Sequence, residues 1–198
     1  FKWERRKAPD VLVDGFFSAF RDADAELIIH AYRPSWERGD KDLQRVAERM
    51  RPAGNKARLT WLRGVQLTRR ELRALYAAVD CFALPTRGEG WGLPVHEALA
   101  MALSTVVTGV VGPLDITGGN GTAWLIDDGG RGADGLARPR PEDLAAALRE
   151  IRDFPAEALR RAAAGRERVA RLFHPRVVAK QFVEALGEGF FLPRDGEL

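Results

Sequence analysis

Two glutamates, Glu89 and Glu97, stand on either side of a glycine-rich turn in the stretch Thr86-Arg87-Gly88-Glu89-Gly90-Trp91-Gly92-Leu93-Pro94-Val95-His96-Glu97. The chemistry open to such a group is the binding of an anion that carries hydroxyls nearby. Gly88, Gly90 and Gly92 place no side chain between the backbone and a ligand. Pro94 suits the first turn of a helix, where its missing N–H costs nothing. Several free backbone N–H groups of the turn, with the positive end of the helix dipole, then point at whatever sits above them, and anions bind such places. Glu97 lies about one turn into the helix and leans back toward the mouth occupied by Glu89. Carboxylates repel phosphate but accept hydrogen bonds from sugar hydroxyls. The arrangement therefore suits a diphosphate with a ribose on one side and an attached sugar on the other. The same two residues also fit a plain loop glutamate and a helix-start glutamate favoured by the dipole.

The elements around the turn must hold it in place. Before it, residues 81–84 form an apolar run of strand length; after it, residues 93–103 are apolar on nearly every side and predict a buried helix. Further strands are expected at 27–31, 58–62 and 123–126, and helices at 10–20, 40–50, 141–151, 155–172 and 176–186. Thr68-Arg69-Arg70-Glu71 has the form of a capping box and opens a helix with Leu72, Leu75, Tyr76 and Val79 on its apolar face. In the last helix, Val178, Phe182 and Ala185 are the expected buried positions. Residues 109–121 read as loops around short strands, and 127–141, rich in glycine and proline, as an exposed connection. Alternating strands and helices predict an α/β fold, a Rossmann-like parallel sheet with helices on both faces that ends in several helices. Ligands of such sheets bind at the carboxyl ends of the strands, which is where the glycine turn falls.

Composition narrows the classes. The 198 residues suffice for one α/β domain over 1–198, with the sheet and central helices in 1–126 and the C-terminal helices in 141–187. Lys and Arg number 31 against 28 Asp and Glu, a net charge of +3 that is too balanced to argue for nucleic acid. The single Cys81 implies no disulfide framework and favours a reducing, cytoplasmic setting. No run approaches the length of a membrane span, and no signal peptide is visible. The chain opens Phe1-Lys2-Trp3 without a methionine, which suggests part of a longer protein. His30 has no metal-ligand companion at useful spacing and reads as structural.

Glu-x7-Glu, embedded as Pro85-Thr86-x-x-Glu89-Gly90-Trp91-Gly92-Leu93-Pro94-x-x-Glu97-Ala98, resembles the donor-site signature of retaining glycosyltransferases of GT-B architecture, the group that includes mannosyl-, glucosyl- and sucrose-forming enzymes. The likeness covers most of the chain. It implies the C-terminal, donor-binding half of such an enzyme, acting on a UDP- or GDP-linked sugar, with an acceptor domain upstream of Phe1 or on a partner chain and with no metal or other cofactor. It also implies roles for particular residues. Lys7, directly before the first helix, matches a lysine that reaches the donor diphosphate, and Lys2 is the candidate for a second basic group, with Arg5 and Arg6 as substitutes. With these basic groups, the amides of Gly90, Trp91, Gly92 and Leu93 would stabilise charge on the departing diphosphate, while Glu89 would hold a hydroxyl of the transferred sugar and Glu97 the ribose. Val65 and Leu67 would face the nucleobase, mostly through backbone atoms. Asp22-Ala23-Asp24 has the spacing of the metal-binding Asp-x-Asp of the other major glycosyltransferase fold, but it precedes a strand and reads as a turn. Beyond the central helix, Ala102 stands where the family usually has glycine and Ser104 where it has proline, which puts the tight helix end in doubt.

Two rival readings differ in class. A non-enzymatic domain could keep this fold to bind a partner, a reading favoured by Ala102, Ser104 and the missing upstream chain and disfavoured by the joint presence of Lys7, Glu89 and Glu97. A dinucleotide-dependent oxidoreductase would use Gly88-x-Gly90-x-Gly92, but the third glycine falls at the wrong spacing and no acidic residue suited to a ribose follows the next strand.

Overall fold

The structure is a computed structural model, and it describes residues 1–22, 24–32, 51–62 and 65–189. Its first helix, α1 (Pro9–Ala19), is followed by strands β1 (Glu26–Ile29) and β2 (Arg58–Trp61). Helix α2 (Arg69–Ala77), strand β3 (Cys81–Leu84) and helix α3 (Leu93–Ala100) come next, then strand β4 (Ser104–Thr108), helix α4 (Val111–Thr117) and strand β5 (Trp124–Ile126). Three helices close the described chain: α5 (Pro141–Asp153), α6 (Pro155–Leu172) and α7 (Pro175–Gly189). The helix expected at 40–50 and the polar loop at 33–39 lie outside the described residues.

Among the described residues every strand pair is parallel: β1 with β2, and β4 between β3 and β5. Just past β1, Lys2 bridges Tyr32 in the same parallel sense, with the Trp3 N–H donating to the Tyr32 carbonyl at 2.8 Å. β4 is buried along its whole length, and its side chains alternate between two layers. Val106 joins a core built on α1 and α5 that also takes in Ile29, Leu59, Trp61, Trp124 and Ile126. Val107 joins a second core with Leu84, Val95, Leu99, Ile116 and Val169. A parallel strand covered on both faces is the expected state for a sheet of βαβ crossovers, and this is the Rossmann-like α/β architecture.

Several local expectations need correction. Residues 111–117 are a helix, α4, and not a loop. Its Gly112 and Pro113 are poor helix formers, so propensity hides it. Tertiary contacts hold it instead: Ile116 is fully buried, and Arg168 of α6 donates to the Ile116 and Asp115 carbonyls at 2.8 and 3.0 Å, closing the helix end. The 127–141 connection is not wholly exposed, since Ala137 and Pro139 are buried and the Ala137 N–H donates to the Arg87 carbonyl at 2.9 Å. The expected buried face of α7 is exposed, with Phe182 at 64%; a 3.6-residue period identifies an apolar face but not what covers it. In α3, Val95, Ala98 and Leu99 are buried while Leu93 and Glu97 are exposed, so only one side faces the core.

The tight end of α3 is intact despite the missing glycine. The Ala102 N–H donates to Leu99 O at 2.9 Å and the Leu103 N–H to Ala98 O at 3.0 Å, the paired bonds of a Schellman turn. Ala102 adopts φ 55°, in the left-handed region. That conformation costs an L-residue roughly 1–2 kcal/mol. Ala102→Gly should therefore stabilise the fold by about 1 kcal/mol, raising Tm by about 2–4 °C for a chain of this size. Thermal denaturation followed by circular dichroism checks it, and an unchanged or lower Tm would count against strain at Ala102.

Candidate functional site

Two turns meet to form the site. The first is the short 3-10 turn Arg5–Lys7 between the Lys2 bridge and α1. The second is the glycine turn between β3 and α3. They are sewn together by backbone: the Arg87 N–H donates to Arg6 O at 2.8 Å, and the Thr86 hydroxyl lies 2.9 Å from both Arg6 O and Gly88 O. Thr86 is fully buried, so this one hydroxyl organises both segments away from water. From outside, the Arg87 guanidinium grips Asp10 with two bonds, at 2.9 and 2.6 Å, and donates to Arg5 O at 2.8 Å. Burial pushes the Asp10 carboxyl up, but the Arg87 hydrogen bonds and charge outweigh it and hold it below the usual carboxylate range.

Inside that frame, the Lys7 ammonium donates to Glu89 Oε2, and the side chains of both are only about one-tenth exposed, at 11% and 12%. Arg6 Nη1 donates to Gly88 O at 2.9 Å and lies 3.7 Å from Glu89 Oε1. Of the basic residues considered for the second cationic position, the Arg6 side chain lies at the glycine turn, and Lys2 pairs with Tyr32 through its backbone. The adjoining Ala8 takes up a left-handed conformation, φ 49° and ψ 53°, which lets the chain swing from the Lys7 turn into α1.

The glycine turn ends at Gly92, which caps α3 at φ 95°, a conformation that L side chains rarely adopt. The N–H groups of Gly90, Trp91, Gly92 and Leu93 have no acceptor among the described residues. Four backbone donors are thus left at the start of one helix, beside a paired lysine and a second guanidinium. The Trp91 ring is turned edge-on to Phe173, 5.1 Å away, so at the turn Trp91 offers its N–H. Behind the turn, α4 starts so close that a Cβ on Gly112 would sit 2.3 Å from Gly90 O, and glycine alone fits there.

Glu97 is on the exposed side of α3, where the Tyr76 hydroxyl donates to its Oε2 at 2.9 Å. Val65 and Leu67 lead into α2, whose capping box is complete: Glu71 N–H to the Thr68 hydroxyl at 3.3 Å, and Thr68 N–H to Glu71 Oε2 at 2.8 Å. Val65 O lies 3.1 Å from His30 Nε2, so His30 braces this loop when that nitrogen carries the proton. Sequence reasoning passed over Thr86 as an organiser and Tyr76 as a partner of Glu97. The capping box sets the phase of α2, which puts Tyr76 on its inner face, but nothing in the sequence links it to a carboxylate 21 positions on. Among the described residues no cluster of three or more His, Cys, Asp or Glu could hold a metal ion, and no helix is long and apolar enough to cross a membrane.

Comparison with known proteins bears on the whole assembly. A search of curated proteins found no relative. Among solved structures, HepE of Anabaena in complex with UDP-glucose superposes with a TM-score of 0.74 at 17% identity, over 94% of this chain and 47% of its own. Sucrose-phosphate synthase from Thermosynechococcus elongatus gives 0.70 at 23% identity, over 94% of this chain and 43% of its own. The C-terminal domain of LpcC, a glycosyl transferase group 1 family protein from Francisella tularensis, gives 0.71 at 16% identity, over 88% and 83%. These likenesses establish the fold, and the chain spans about half the length of HepE and of sucrose-phosphate synthase. The sequence itself matches the family described as Glycosyl transferases group 1 over residues 1–153, so this chain belongs to the group 1 glycosyl transferases.

Proposed function

We propose that this chain is the donor-binding half of a configuration-retaining glycosyltransferase that moves a sugar from a UDP- or GDP-linked donor to an acceptor hydroxyl. The observation that carries the reading is the pairing of Lys7 with Glu89 beside four backbone N–H groups that lack an acceptor among the described residues. A diphosphate satisfies those N–H groups and competes with Glu89 for the Lys7 ammonium, while Arg6 adds a second positive charge. Glu89, freed in part from Lys7, accepts a hydroxyl of the sugar, and Glu97 accepts from the ribose. When the bond from the anomeric carbon to the diphosphate oxygen breaks, negative charge gathers on the diphosphate. Donors already aimed at that position stabilise it without reorganising. In this reading the cations and the helix start take the place of a metal, and no cofactor is needed beyond the donor. The base lies against the loop at Val65 and Leu67, and the acceptor is held by a second domain or a partner chain. The UDP and UDP-glucose complexes of HepE support the choice of ligand class. The non-catalytic rival loses one support, because Ala102 keeps the helix end that its glycine was expected to supply.

Glu97→Ala should weaken nucleoside diphosphate binding by about 1.5–3 kcal/mol, the range for hydrogen bonds to a charged group, with the fold retained because Glu97 is exposed. Calorimetry on the folded variant decides this, and unchanged affinity removes Glu97 from the site.

Lys7→Ala should cost more affinity for a nucleoside diphosphate than for the free nucleoside, and added salt should weaken the diphosphate more. The variant should also be less stable, by about 3 kcal/mol, because Glu89 is left as a charge largely out of water. Equal affinity losses for both ligands would reduce Lys7 to a structural partner of Glu89.

Residues 1–198 alone should bind a sugar nucleotide weakly and transfer nothing, since no acceptor hydroxyl is positioned at the anomeric carbon. Radiolabelled UDP- and GDP-sugars, tested with and without the remainder of the protein, measure this. Robust transfer by 1–198 alone would refute the half-site reading.

A further inference from the structure

Helix α2 is the least embedded of the helices that frame the site: none of its residues is buried. It nonetheless carries two features that matter there. Its start follows the Val65–Leu67 loop, and near its end Tyr76 turns inward to lean on Phe82 of β3, ring centroids 6.2 Å apart. The Tyr76 hydroxyl reaches α3, 2.9 Å from Glu97 Oε2 and 3.4 Å from Pro94 O. A single phenolic proton serves one of these at a time, and the shorter, charged acceptor is the better one. Glu97 is exposed and one turn into its helix, where an unheld glutamate samples several rotamers. Burial, followed by the Glu97 charge, pushes the Tyr76 phenol far above its ordinary pKa, so it remains a donor throughout the working range.

We propose that Tyr76 is a positioning residue for the ribose: its hydroxyl fixes Glu97 Oε2 so that the remaining carboxylate lone pairs face the ribose hydroxyls, and in doing so it pins α2 and the base-side loop to α3. This inference rests on the reading of Glu97 as the ribose acceptor. The interaction makes the carboxylate preorganised, so less rotamer freedom is lost when a nucleotide arrives.

The test uses the full-length protein and titration calorimetry with UDP, GDP and the 2′,3′-dideoxy form of whichever binds. Tyr76→Phe deletes one oxygen and keeps the ring on Phe82. It should weaken the ribonucleotide about three- to tenfold, the net worth of one hydrogen bond, and leave dideoxynucleotide affinity within about twofold. Combined with Glu97→Gln, it should add little to the Glu97→Gln loss, because the two residues act through one contact. Equal losses for the ribo and dideoxy ligands would make Tyr76 a merely structural residue and overturn the inference. Wild-type affinity in Tyr76→Phe, with Glu97→Gln still impaired, would overturn it while leaving the donor site standing. If the wild-type protein binds neither UDP nor GDP, the donor reading fails and takes this inference with it.

Discussion

The Lys7–Glu89 ion pair is the constraint on which the site depends. Two opposite charges 82 residues apart are held largely out of water, each the main reason the other can stay there. Such pairs add little net stability when intact and cost much when halved. Their value here is geometric. To keep the pair together, the turn before α1 and the turn before α3 must stay in register, and Thr86, Arg87 and Asp10 supply the bonds that do so. The shape of the glycine turn is thus set from the side by the neighbouring segment.

This division explains why the site is charged yet balanced at rest. Lys7 is occupied by Glu89, and Arg6 shares its guanidinium among Glu4, Gly88 and Glu89. In the proposed reading, a diphosphate would meet the backbone donors of the glycine turn and compete with Glu89 for the lysine. At the other end of the mouth, Glu97 is managed in the same way by a neutral hydroxyl. One carboxylate is held by a cation, the other by a phenol.

How much of this was legible beforehand depended on how local each feature is. The strand at 81–84, the glycine turn and the helix after it could be read because each is encoded within a dozen residues, and the capping box at Thr68 likewise. Helix α4 escaped because its stability comes from Arg168 and from burial of Ile116, while Gly112 and Pro113 argue against a helix. Ala102 misled in the opposite direction: the substitution suggested a lost turn, yet the two Schellman bonds hold the backbone left-handed at a residue that resists it. Contacts across 21 or 82 positions, Tyr76 to Glu97 and Lys7 to Glu89, leave no periodicity to detect. The apolar stripe of α7 was visible, but its exposure was not, since a pattern carries no information about its partner.

The seat of Gly112 against the Gly90 carbonyl has a consequence for how this surface can diverge. Gly112 is closed to every side chain, because even a methyl group would overlap backbone 22 positions earlier in the chain. Mutational tolerance around the mouth therefore does not fall off smoothly with distance from a ligand. It drops again at the first turn of α4, a second shell of intolerance defined by backbone against backbone. Attempts to graft the 86–97 stretch onto another scaffold would have to carry that abutting glycine with it.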